Sequence, residues 1–211
     1  MEGALRGAAP AGLRLIETFR WEPERGFPRL LDHLRRLARS CKALGIELDG
    51  GELAQALEGI SGDAPLRVRL TVGLAGDVAV ETAPLGAARA EWVVSVAETW
   101  VFSGDPWLAV KTTRRPVHDA ARAALTPGVD EAVLLNERGE VAEGTITSVF
   151  VEREGGVVVT PPLSSGVLPG VLRAELLKGG RCREEVLWPS DLAGGFWVGN
   201  SLRGLIRARL A

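Results

Sequence analysis

The 211-residue chain has no tyrosine, one methionine, two histidines and two cysteines. Without tyrosine, no phenol can serve any site that this chain builds. Cys41 and Cys182 are too few for a disulfide framework, and no Cys/His cluster has zinc-ligand spacing. A reducing cytoplasm is the setting expected for such a chain. His33 and His118 lack Asp or His neighbours at ligand spacing, so both are expected to be structural, with no metal. Lysine is scarce too. Of 25 basic residues, only Lys42, Lys111 and Lys178 are lysines, so each can be weighed singly. The formal charge is −2, nearly balanced, which argues against a nucleic-acid or polyanion partner. No apolar run is long enough to cross a bilayer, and Met1 to Gly12 has no basic stretch followed by an apolar one. A soluble, unsecreted protein without a membrane partner is expected.

What is present is enough apolar sequence, 46% of residues, for one large domain or two small ones. The pattern predicts a strand over Leu13 to Trp21. A helix follows from Pro28, with Leu30, Leu34, Leu37, Cys41 and Leu44 at helical spacing and Gly45 closing it. A second helix is expected over Gly51 to Ile60, then strands over Leu66 to Leu74, Val78 to Ala83 and Trp92 to Phe102. Turn chemistry at Ser103 to Trp107 sets the expected domain boundary, giving a smaller α+β domain over 1–104 and a larger one over 105–211. The second half reads as a helix over Arg115 to Leu125 and a strand over Glu131 to Leu135. A turn at Asn136 to Gly139 leads into one strand through Val141 to Val151, and another covers Val157 to Thr160. A helix from Pro169 to Gly179 and strands over Arg183 to Trp188, Phe196 to Gly199 and Leu205 to Leu210 complete the chain. There are no repeats.

Several residues have the chemistry of a site. Lys111 ends an apolar run beside the expected boundary, where ligand sites tend to lie. Desolvation there would favour the neutral amine that carbonyl chemistry requires; a solvent-facing strand-end lysine is the competing reading. Glu143 sits in the otherwise apolar or β-branched stretch Val141 to Thr145, where it could pair with a ring nitrogen or simply face water. Leu168-Pro169-Gly170-Val171-Leu172 opens a helix after a loop with Ser164, Ser165 and Gly166. Such a start offers backbone N–H groups to a phosphate, although an ordinary loop-to-helix junction looks the same. His33, Arg36 and Ser40 share one helix face, either a solvated row or a cation directed at a phosphate. Asn200 and Ser201, after a strand, offer amide and hydroxyl donors or form a polar turn.

Their order resembles that of the pyridoxal 5′-phosphate (PLP) enzymes of fold type IV, the class IV aminotransferase family, and within it the 4-amino-4-deoxychorismate lyase branch. The matching stretches are Ile16 to Trp21, His33 to Leu37, Lys111 to Asp119, Asp130 to Phe150, Thr160 to Leu177 and Asn200 to Gly204, nearly the whole chain. The resemblance implies a two-domain α+β / α/β fold like that of D-amino-acid aminotransferase. It implies a Schiff base between PLP and Lys111, with Glu143 as partner of the pyridine nitrogen. Arg36, the Gly170, Val171 and Leu172 backbone and Asn200 or Ser201 would hold the phosphate. Thr18 is a candidate proton relay and Arg203 a candidate grip on a substrate carboxylate. A homodimer acting on a small molecule is implied, with a functional link to aminodeoxychorismate synthase. Branched-chain aminotransferases of this fold carry a tyrosine five residues after the lysine; here Pro116 stands there. That turns the expectation toward the lyase or D-amino-acid branches, with a PLP-binding subunit lacking its own turnover as a further reading. Family members also have more chain before the stretch matching Glu17-Thr18.

Overall fold

In a computed structural model, which describes residues 5–211, the chain forms two compact units. Of the described residues, 5–87 together with Val110–Arg114 make up the first, and Ala88–Ala109 with Arg115–Ala211 the second.

The first unit is a three-stranded antiparallel sheet in the order β1-β2-β3, with β1 over Arg14–Trp21, β2 over Leu66–Gly73 and β3 over Val78–Pro84. Two helices accompany it, α1 over Leu30–Leu44 and α2 over Gly50–Glu58. Of the stripe expected from the sequence, α1 buries Leu37, Cys41 and Leu44, at roughly 1.5–3 kcal/mol for each fully buried leucine, while Leu30 and Leu34 are half-buried. Gly45 ends it in the left-handed conformation (φ 58°), donating its N–H back to Cys41 and Lys42 carbonyls. The start differs from the expectation. Arg29, with φ at 66°, turns the chain out of helical geometry, so α1 begins at Leu30 and Pro28 lies outside it. The His33, Arg36 and Ser40 row is buried rather than solvated. α2 starts one residue before Gly51, where Asp49 accepts the N–H groups of Gly51 and Glu52 as a side-chain cap.

The second unit is an eight-stranded mixed sheet in the order β6-β5-β4-β11-β10-β7-β8-β9. Its strands are β4 (Glu91–Val101), β5 (Glu131–Asn136), β6 (Val141–Gly144), β7 (Ser148–Glu152), β8 (Val158–Thr160), β9 (Arg183–Glu184), β10 (Phe196–Asn200) and β11 (Gly204–Leu210). Two helices belong to it, α3 over Pro116–Ala123 and α4 over Val171–Lys178. Its core includes Val94, Val133, Val149, Val198 and Leu192.

The division expected at residue 104 falls instead before Ala88. β4 pairs in parallel with both β5 and β11, and these ladders tie it to the second sheet. Val110–Arg114 goes the other way. The Ile16 N–H donates to the Lys111 carbonyl (2.8 Å), and the Thr113 N–H donates to that of Arg14 (2.9 Å). Three further expectations are corrected. The single strand over Val141 to Val151 is two strands, parted by a turn at Thr145 to Thr147. α4 begins at Val171, with Gly170 extended at its cap and Pro169 outside. The strand expected to run to Trp188 is only β9, because Asp191 captures the Trp188 N–H and starts a short helical turn from Pro189. Among the described residues no helix is long and apolar enough to cross a membrane.

Candidate active site

In the first unit, side-chain alternation along β1 turns Glu17 inward, where it is 2% exposed. A buried carboxylate needs donors, and α1 supplies them. Arg36 donates Nε to Glu17 Oε1 (2.9 Å) and Nη2 to Oε2 (2.6 Å), a bidentate pair, and His33 Nδ1 lies 2.6 Å from Oε2. Burial pushes the Glu17 carboxyl up, but the hydrogen bonds from His33 and Arg36 outweigh it and hold the group below its usual range. His33 also lies below its usual value. Burial is the main cause, opposed by Glu17 and reinforced by the charges of Arg36 and Lys111. The imidazole is therefore neutral and donates from Nδ1, and its buried Nε2 has no partner among the described residues. Lys111 is half-buried on the segment that extends the β1 edge, and Thr18, also half-buried, stands opposite Arg69.

In the second unit, Glu143 is the third residue of β6 and is buried. His118 Nε2 lies 2.9 Å from its Oε1, and the Leu168 N–H donates to its Oε2 (3.0 Å). The Leu163–Gly166 segment before Leu168 is held by a second polar cluster. Glu140 accepts from Asn136 and Ser165 (both 2.8 Å), and Arg138 bridges Glu140 to the Ser164 carbonyl (2.8 Å). The Arg138 guanidinium brings the Glu140 carboxyl down to about 2. α4 then begins. Its first intrahelical bond runs from the Ala174 N–H to the Gly170 carbonyl (2.9 Å), so the helix leaves the Val171 and Leu172 N–H groups for an outside acceptor. Asn200 closes the turn after β10. Its Oδ1 accepts the Leu202 and Arg203 N–H groups (3.1 and 3.0 Å), and its Nδ2 donates to the Ile146 carbonyl (3.2 Å). Ser201 and Arg203 are half-buried in that turn.

Lys111, Arg36 and Thr18 thus lie in the first unit. Glu143, Gly170, Val171, Leu172, Asn200, Ser201 and Arg203 lie in the second. Sequence reasoning missed Glu17 as the partner of Arg36, His118 as the partner of Glu143, and Glu131, whose buried carboxylate binds the turn after Glu143. A legible signal did exist for the second. Arg115, His118 and Arg122 recur at helical spacing, and all three reach toward that turn.

The chain is 29% identical over 238 residues to the aminodeoxychorismate lyase of Bacillus subtilis, covering 92% of this chain and 76% of that protein. A provisionally named branched-chain-amino-acid aminotransferase of Thermotoga maritima is 30% identical over 175 residues, 76% of this chain and 63% of its own. A solved Mesorhizobium loti protein, provisionally titled an amino-acid aminotransferase, superposes with a TM-score of 0.88 at 42% identity, over 94% of this chain and all of that one. Residues 14–211 match the family described as amino-transferase class IV. The chain belongs to that family of PLP-dependent enzymes and has its fold.

Proposed function

We propose that the protein is a PLP-dependent lyase that converts 4-amino-4-deoxychorismate to 4-aminobenzoate and pyruvate. The donor set fits the cofactor. Arg36, buried and cationic, suits a phosphate by its chemistry, as do the N–H groups that open α4 and the donors of Asn200 or Ser201. The buried Glu143 carboxylate, already fixed by His118 and Leu168, suits a protonated ring nitrogen. Lys111 supplies the amine that holds the aldehyde. When bound, the cofactor supplies an electron sink for the bond broken at the amino-bearing carbon.

The chain's own residues do the rest. Lys111, with its amine free, would take the proton from the amino-bearing carbon as a general base. The Glu143 carboxylate would lie beside the ring nitrogen and keep that nitrogen protonated, the form able to accept electrons. Glu17, itself held by His33, fixes the Arg36 guanidinium in place. Thr18 is proposed to pass a proton to the departing group, and Arg203 to hold a substrate carboxylate. Loss of the enolpyruvyl group as pyruvate leaves an aromatic ring, so no second amino acceptor is needed.

The observation that carries the lyase reading over a branched-chain aminotransferase is Pro116. It opens α3 where those enzymes carry a tyrosine, and the chain has no tyrosine at all. The family likeness further supports a cytoplasmic homodimer working after a synthase that makes the substrate. The test supplies aminodeoxychorismate, generated in situ from chorismate and glutamine by a synthase, without any oxo acid. The expected result is 4-aminobenzoate and pyruvate in equal amounts. Activity appearing only with an added oxo acid, with D-alanine or a similar donor consumed, would make the protein an aminotransferase. Bound PLP with neither activity would make it a non-catalytic subunit.

A further inference from the structure

The turn at Thr145 to Thr147 interrupts what the sequence presents as one strand, and the group responsible comes from a neighbouring strand. Glu131, the first residue of β5, is fully buried. Its Oε1 accepts the N–H groups of Ala132 and Thr145 (both 3.0 Å) and the Thr145 hydroxyl. Its Oε2 accepts the Ile146 N–H (3.2 Å) and the Thr147 hydroxyl (3.0 Å). Arg122 adds a longer contact of 3.4 Å and donates to the Thr145 hydroxyl oxygen (3.2 Å). Donors converging on both oxygens require a group that only accepts. An amide there would turn its NH2 either toward Thr145 or toward Ile146 and Thr147.

This turn follows Glu143 with no slack between them. A Cβ on Gly144 would stand 2.2 Å from Thr147 Oγ1 and 3.0 Å from Glu131 Oε2. The Gly144 N–H donates to the Thr147 carbonyl (2.8 Å), closing the turn. One face of α3 and its cap grips the same stretch: Arg115 donates to the Thr145 carbonyl (2.6 Å), while His118 meets Glu143. On its far side, the Ile146 carbonyl receives Asn200.

We propose that Glu131 is a positioning residue for Glu143. Its buried carboxylate fixes the turn, and the turn sets how Glu143 leaves β6 and where the Ile146 carbonyl meets Asn200. The proposal rests on Glu143 serving the cofactor nitrogen and adds the group that holds it in place.

The test compares wild-type holoenzyme with Glu131→Gln and Thr147→Val. It follows amide exchange at Thr145 and Ile146, the 15N signal of His118 Nε2, the cofactor absorption band, and kcat apart from KM. With Glu131→Gln, exchange at both amides should quicken by about tenfold or more, the loss of one hydrogen bond to a charged group. The His118 signal and the absorption band should move, and kcat should fall about tenfold with KM changed less than about threefold. Thr147→Val keeps the side-chain shape while removing one donor. It should move the same signals less, and it decides the matter if the glutamine variant does not fold. Unchanged exchange would overturn the proposal. So would faster exchange with the His118 signal and kcat both unmoved, because Glu131 would then serve stability alone. If the His118 signal moves but the wild-type protein binds no PLP, the positioning stands and the cofactor role of Glu143 falls.

Discussion

Replacing Glu143 with glutamine changes little in shape and much in charge. The carboxylate has two neighbours, His118 Nε2 at 2.9 Å and the Leu168 N–H at 3.0 Å. Glutamine can serve both by keeping its oxygen toward Leu168 and turning its NH2 toward His118 Nε2 in the tautomer that accepts. The fold should therefore survive, with a melting temperature close to wild type. A neutral amide cannot stabilise a positive ring nitrogen. The loss of one charge-assisted hydrogen bond, roughly 1.5–3 kcal/mol, corresponds to a kcat lowered by about ten- to a hundredfold at 1.36 kcal/mol per decade. Steady-state turnover of aminodeoxychorismate, beside the absorption spectrum of the bound cofactor, measures both effects. Wild-type turnover with an unchanged spectrum would refute the argument and remove Glu143 from the ring nitrogen.

Borohydride reduction of the yellow holoenzyme followed by peptide mapping should find the cofactor on Lys111; a label on Lys42 or Lys178, or none, would overturn that assignment. Arg36→Ala should destabilise even the apoprotein by about 3–5 kcal/mol in urea unfolding, because it strands the buried Glu17 charge. Glu140, held at about 2 against an ordinary value of 4.5, contributes stability that is fully present above pH 4.5 and lost as pH falls toward 2. Denaturation midpoints across that window should drop, and Glu140→Gln should flatten the drop.

The sequence was most legible where one periodicity governs a whole element. The later part of the α1 stripe with its Gly45 stop, and the strands β1, β2, β3, β10 and β11 taken singly, follow from local pattern. It was least legible where a distant side chain overrides that pattern. Nothing local in Thr145-Ile146-Thr147 announces a turn, since three β-branched residues favour a strand; the cause is a carboxylate at position 131. Nor does Pro28 reveal that Arg29 will adopt a left-handed backbone. The candidate site follows the same rule. The residues proposed to touch the cofactor come from their order along the chain. Those that hold them in place, Glu17, His118 and Glu131, are partners across sheet and helix that only three-dimensional pairing brings together.

The backbone bonds between β1 and the segment around Lys111 also bear on how the chain is made. β1 is made before the segment that pairs one of its edges, which lies about a hundred positions later. Until Val110–Arg114 arrives, the Arg14 to Ile16 part of that edge carries unpaired N–H and C=O groups, a template for pairing with other chains. A fragment ending at residue 104 should therefore aggregate, whereas one carried to Arg114 retains the closing partner of β1. The lysine that would bind the cofactor thus sits on the stretch that ends the exposure of a nascent strand.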